Sequence, residues 1–305
     1  MKTAFYSHSD CRGHDMGRGH PECPERLDAI HDHLLASGLD AAVEQRDAPV
    51  VELSDLALAH SSGFLAELRD VLLRVADSGD PCAIDPDTVA APGTLKAAMR
   101  AAGAAVAATD AVLDGKVENA FCAVRPPGHH ATRDLAMGFC FFNNVAVAAR
   151  HALDVRGLER VAIIDFDVHH GNGTEEIFRD DDSVLYVSLH QWPFYPGSGG
   201  PDEQAETTVN VPLAAGAGDE EYLEAFGRVV EPVVERFEPE LVLVSAGFDA
   251  HVDDPLAEMR VTADGFRELA RRSAQLGPRV AAVLEGGYNL RTLPDLVEAA
   301  LDGFG

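Results

Sequence analysis

Lysine is almost missing from this 305-residue chain, which has only Lys2, Lys96 and Lys116. Lysine and arginine together number 24 against 51 acidic residues, a formal net charge of −27. A nucleic-acid binder needs a basic surface to displace counterions from phosphates, so direct nucleic-acid binding is excluded. Cysteine is also scarce: Cys11, Cys23, Cys82, Cys122 and Cys140 make an odd number, and no Cys-x-x-Cys occurs. This argues against a disulfide framework and against a thiolate zinc site. No apolar run approaches the ~20 residues of a membrane-spanning helix. The stretch Met1-Lys-Thr-Ala-Phe-Tyr6 shows no apolar segment followed by a cleavage site. The expectation is a cytoplasmic protein with no membrane partner and no secretory signal. Repeats, low-complexity segments and long linkers are absent too, so one domain over residues 1–305 is expected.

The acid excess has two readings. It can attract a basic substrate such as a lysine-rich tail, or it can be a solvated surface spread along the chain. The scarcity of lysine suits a high-salt cytoplasm and equally a base-composition bias toward arginine.

What is present is an alternation. Short apolar, β-branched runs at 121–124, 161–166, 184–189, 241–244 and 280–284 read as strands. Segments with apolar residues at helical spacing separate most of them: 94–113, 143–155 (opened by a capping Asn), 220–237, 263–276 and 293–301. Residues 24–36 read as a helix with Pro at its first turn. Strands apolar on both faces, alternating with helices, predict an α/β fold: a central, mostly parallel sheet with helices on both faces.

Polar motifs follow these strands directly. The 121–124 run leads into Arg125-Pro-Pro-Gly-His129-His130, and 161–166 into Asp167-Val-His169-His170. The 184–189 run leads into His190, 241–244 into Ser-Ala-Gly-Phe-Asp249-Ala-His251, and 280–284 into Glu285-Gly-Gly-Tyr288. The carboxyl edge of an open α/β sheet is where ligands bind. Asp165, Asp167 and His169 are spaced two apart, so in an extended chain they share a face. Asp167 and His169 suit a metal ion, and Asp249 is the best third ligand. Three protein ligands leave a position for water, as a catalytic site requires. The pair His129-His130 is a candidate for moving protons, with Asp165 and Asn172 as candidate supports that set tautomer and basicity. Tyr288 is a candidate donor to a developing oxyanion. Cys122 reads as core, and Cys140 as a loop residue beside the chemistry. His8 and His14 read as surface-loop residues of a segment, 7–19, that forms part of the rim. His170 turns to the opposite face from His169 and has no assignment.

Six motifs together are similar to those of the histone deacetylase family, within the arginase-like fold. They are His20-Pro-Glu, Arg125-Pro-Pro-Gly-His-His130, Gly138-Phe-Cys-Phe-Phe-Asn-Asn144, Asp165-Phe-Asp-Val-His-His-Gly-Asn-Gly173, Ser245-Ala-Gly-Phe-Asp249 and Glu285-Gly-Gly-Tyr288. They occur in family order across nearly the whole chain. Asn172 and the pair Phe248-Asp249 look more like the class II branch and its prokaryotic relatives. The resemblance implies a catalytic Zn²⁺ on Asp167, His169 and Asp249, although two carboxylates and an imidazole also admit Fe²⁺. It implies His130 as general base and then acid, oriented by Asn172. His129, backed by Asp165, would assist electrostatically, and Tyr288 would stabilise the oxyanion. Gly138, Phe139 and Tyr195 would line a narrow channel for the aliphatic part of an acyl-lysine. A potassium ion would be expected near Asp165, Asp167, His169, Ser188 and Leu189, and a second near Phe178 and Val184.

Within such a family the substrate is an acyl-lysine of a protein or peptide, a small acylated amine, or an acetylated polyamine. Polyamine-selective members often place an acid in the loop after the third metal ligand; here Leu256 takes that position. An apolar group offers a distal ammonium no partner, so acyl-lysine or a small acylated amine is preferred, although Asp253 and Asp254 lie close by. A binuclear manganese ureohydrolase would need further carboxylate ligands that this chain lacks. A non-catalytic sensor would have lost a ligand or the oxyanion donor.

Overall fold

The computed structural model describes residues 3–305. Its ten strands are β1 (Thr3–Ser7), β2 (Glu44–Asp47), β3 (Cys82–Ala83), β4 (Val89–Ala90), β5 (Asn119–Cys122), β6 (Val161–Asp165), β7 (Val184–Gln191), β8 (Thr208–Leu213), β9 (Leu241–Ala246) and β10 (Val280–Leu284). Eight form one sheet in the order β2-β1-β5-β10-β9-β6-β7-β8, and β3 and β4 pair separately and antiparallel. Every neighbouring pair in the large sheet is parallel, a stronger result than the mostly parallel sheet expected. Helices flank it. The Ala-rich helix Thr94–Leu113 lies against β1, β5 and β10, its small buried side chains permitting close approach.

All five expected strands form. The unexpected members of the sheet are β1 and the strands at its two edges. Glu44-Gln-Arg-Asp47 has no apolar run, and Thr208–Leu213 is broken by Asn210 and Pro212. Edge strands are half-solvated, so they need not read as apolar. Asn143 caps the helix Asn144–Arg150 by accepting the Ala146 N–H at 3.0 Å. The 220–237 helix is interrupted by a wider turn at Phe226–Val230. Among the described residues no helix is long and apolar enough to cross a membrane.

The strand order decides where the motifs meet. The five strands that run into polar motifs are β5, β10, β9, β6 and β7, which are consecutive neighbours at the centre of the sheet. Being parallel, they present their carboxyl ends on one edge.

Candidate active site

Asp167, His169 and Asp249 lie together and buried, with ligand-type atoms all within 4.8 Å of one another. His169 Nδ1 is 3.1 Å from both Asp167 Oδ1 and Asp249 Oδ2. The remaining carboxylate oxygens are held by backbone: Gly286 N–H donates to Asp167 Oδ2 at 2.8 Å, and Val168 N–H to Asp249 Oδ1 at 2.9 Å. Burial disfavours charge on His169, but hydrogen bonds to the two carboxylates outweigh it and raise its pKa to about 10. Two buried carboxylates facing one another demand a countercharge. This donor set fits a divalent cation. Among the described residues this is the one such group, which fits one metal rather than the two of a binuclear ureohydrolase.

The histidine pair sits beside it, with ring centroids 4.1 Å apart. His129 Nδ1 is 3.0 Å from Asp165 Oδ2, and its Nε2 is 3.8 Å from Asp167 Oδ1. Burial opposes protonation, but the charges of Asp165 and Asp167 win and raise the His129 pKa to about 10. His130 goes the other way. Burial and the positive charges of His129 and His169 push it well below its ordinary value, while Asn172 Oδ1 accepts from its Nδ1 at 2.8 Å. The two adjacent imidazoles are thus pushed in opposite directions, His129 toward its cation and His130 toward its neutral form.

A narrow cavity of about 90 Å³ leads to these groups. Phe139, Tyr195 and Gly138 line it with His130, His169, Tyr288 and Leu256. Tyr195 stands edge-on to His130 at 5.2 Å, and Phe139 edge-on to Tyr288 at 5.9 Å. Phe139 has φ +70°, a strained conformation for a non-glycine residue. Its N–H donates to Thr88 Oγ1 at 2.9 Å, and His20 packs edge-on against its ring. Gly138 has φ +57°, and a Cβ there would lie 2.5 Å from the His130 ring. Burial and the Asp249 charge push the Tyr288 phenol well above its ordinary value, so its hydroxyl stays a donor. Arg26 lies over the Tyr288 ring at 4.9 Å.

Of the expected cation-site residues, Asp165 ends β6 while Val184, Ser188 and Leu189 lie in β7, with Asp165 in register with Ser188. Ser188 Oγ is 2.8 Å from His190 Nδ1, and Phe178 and Val184 are buried core side chains. His14 corrects the surface expectation: it is fully buried, bonded to Thr94 Oγ1 at 2.8 Å and facing Glu22. Residues 7–19 contribute no lining side chain to the site cavity; Ser7, His8, Ser9 and Arg12 border a separate one. Cys140 is buried, its thiol donating to the Gly138 carbonyl at 3.3 Å.

Three further residues, Glu285, Tyr186 and Asp87, shape the site. Glu285 accepts from Gly128 N–H at 2.6 Å, His129 N–H at 3.2 Å and Ser245 Oγ at 3.1 Å, joining three strand ends. Tyr186 donates to Asp165 Oδ2 at 3.0 Å. Asp87 lines the cavity wall from the loop between β3 and β4. Glu285 begins the Glu285-Gly-Gly-Tyr288 motif directly after β10, a position that marks it as a candidate. Tyr186 reads as plain core, and Asp87 as one acid among many.

The family model for the histone deacetylase domain matches residues 20–304. A histone deacetylase-like amidohydrolase of Pseudomonas aeruginosa is 42% identical over 96% of this chain and 83% of that protein. A probable deacetylase of Archaeoglobus fulgidus is 38% identical over all of this chain and 87% of its own length. The polyamine deacetylase HDAC10 of Mus musculus is 42% identical over 97% of this chain but only 47% of that protein. The solved HDA15 HD domain superposes with a TM-score of 0.93 at 37% identity, covering 99% of this chain and 88% of that one. Matched along nearly its whole length and folded alike, this chain belongs to the histone deacetylase family and is a hydrolytic deacetylase.

Proposed function

We propose that this protein removes an acetyl or related acyl group from an acyl-lysine or a small acylated amine, as a zinc-dependent amidohydrolase. The observation that carries this is the buried Asp167–His169–Asp249 group at the foot of a narrow cavity shared with His130 and Tyr288. A divalent ion there, Zn²⁺ or alternatively Fe²⁺, supplies Lewis acidity to the acyl carbonyl and lowers the pKa of a neighbouring water.

The rest of the chemistry belongs to the chain. His130 is neutral with its Nδ1–H committed to Asn172, which leaves the Nε2 lone pair free to take the proton of the attacking water. The same nitrogen returns that proton to the departing amine, so acetate and free amine result. His129, cationic against Asp165, places positive charge beside the reacting carbonyl. The Tyr288 hydroxyl donates to the developing oxyanion. Phe139 and Tyr195 hold the aliphatic chain and exclude water, with Gly138 letting the wall approach His130. A potassium ion near Asp165, Asp167, His169, Ser188 and Leu189, and a second near Phe178 and Val184, belong to the same proposal. The register of Asp165 with Ser188 supports the first.

Leu256 supports the preference for acyl-lysine or a small acylated amine. It lines the cavity, whereas Asp253 is exposed and both Asp254 oxygens accept backbone N–H groups. One observation favours a second reading, an acetylpolyamine amidohydrolase: Asp87 lines the same cavity and offers a carboxylate to a distal ammonium. Metal analysis and a substrate panel test both. We expect one zinc per chain, turnover of acetyl-lysine peptides above acetylputrescine and acetylspermidine, and loss of turnover with a chelator. Preference for the acetylpolyamines would assign the second reading. Failure to hydrolyse any of them in the metal-loaded state would sink both.

A further inference from the structure

The loop after Asp249 carries a second buried carboxylate, Asp254, only 8% exposed. Its two oxygens are divided between two chain segments. Oδ2 accepts the backbone N–H of Tyr288 at 2.7 Å, and Oδ1 accepts the backbone N–H of Leu256 at 3.0 Å. Tyr288 and Leu256 both line the site cavity. A second tie runs alongside, with Asn289 Nδ2 donating to the Asp253 carbonyl at 2.7 Å. The segment Gly286–Tyr288 is therefore held at both ends by carboxylates, Asp167 Oδ2 at one and Asp254 Oδ2 at the other. Between them Arg26 Nε donates to the Gly287 carbonyl at 2.7 Å.

We infer that Asp254 is a positioning residue that sets the Tyr288 hydroxyl and the Leu256 side chain against one another across the cavity. Its two oxygens bond to backbone amides of the cavity wall, and it acts through them. A carboxylate suits this because it is acceptor-only and can serve two N–H donors on separate oxygens. Asparagine has the same shape but one acceptor oxygen, so its amide group would face one of those N–H donors with a donor of its own. The inference rests on the reading of Tyr288 as the oxyanion donor, and its test separates the two.

The test uses metal-loaded wild type, Asp254→Asn, Tyr288→Phe and the double variant, with metal content confirmed equal. On an acetyl-lysine peptide, Asp254→Asn should lower kcat about tenfold or more with KM within about threefold, a loss specific to the transition state. In the Tyr288→Phe background the same change should cost less than about twofold, because its route to the chemistry has been removed. Losses that multiply in full would overturn the inference, since they would mark general loosening. Amide hydrogen exchange provides a readout independent of turnover. The segments bearing the Leu256 and Tyr288 amides should exchange at least about tenfold faster in Asp254→Asn, while the β9 and β10 amides keep their protection. Unchanged exchange at both segments would overturn the inference even if the wild type proved inactive, whereas an inactive wild type with the expected exchange would count against the proposed function alone.

Discussion

At Gly286 an added Cβ would lie 2.1 Å from Asp249 Oδ2 and 2.7 Å from Asp167 Oδ2, so the two carboxylates proposed as metal ligands occupy the space of a side chain. The Gly286 N–H also donates to Asp167. Gly286→Ala should weaken metal binding by at least about tenfold, since displaced ligands lose their geometry. Metal titration would check this, with circular dichroism showing the fold retained. Tyr288→Phe should keep the metal and lower turnover by roughly a hundredfold or more, as loss of an oxyanion donor does. Wild-type turnover in that variant would remove Tyr288 from the proposed mechanism. The residues of the candidate site were largely legible as candidates because their chemistry is local: a carboxylate and an imidazole two positions apart share a face whatever surrounds them. Glu285 was visible as a polar residue after a strand, but its partners and those of Tyr186 were not legible, because what they bind comes from other strands.

Two buried histidines outside the candidate metal site, His60 and His190, are pushed toward the neutral form. His60 follows the helix Leu53–Ala59, donates from Nδ1 to the Thr132 carbonyl at 2.9 Å and accepts the Asn143 N–H at 3.0 Å. His190, near the end of β7, donates from Nε2 to the Gly199 carbonyl at 2.8 Å and thereby holds the loop that bears Tyr195. Burial lowers both to about 4 from 6.5. Folding favours the neutral form, so the stability each contributes, roughly 3 kcal/mol, is complete above pH 6.5. It is lost progressively as pH falls from 6.5 toward 4. Urea midpoints should therefore drop steeply over that interval. A His60→Gln variant, less stable at neutral pH, should lose less across it; an equal loss would show that His60 does not titrate with unfolding. At this scale the buried strands and their helices were readable from periodicity. The edge strands were not, because half-solvated backbone needs no apolar pattern.

The whole molecule carries a net charge of −27, so its field repels itself and attracts cations. Added salt screens both effects over a Debye length of about 10 Å at 0.1 M. The melting temperature should rise from low salt to about 0.5 M, while KM for a cationic acetyl-lysine peptide rises and that for a neutral acylated amine stays nearly constant. Steady-state assays across a salt series would check this, and parallel responses of the two substrates would refute steering. The sequence by itself determined the class of fold, the ligand types at the strand ends and the sign of the field. These depend on side-chain alternation, periodicity and formal charge, which are local or additive. Only the tertiary structure decided that β5, β10, β9, β6 and β7 lie side by side, bringing Asp249 within 3.1 Å of His169 from 80 residues away. It also decided that His14 is buried, that Asp254 spans two loops and that Asp87 reaches the cavity. Strand order and loop contact arise from long-range packing, to which no short window of sequence is sensitive.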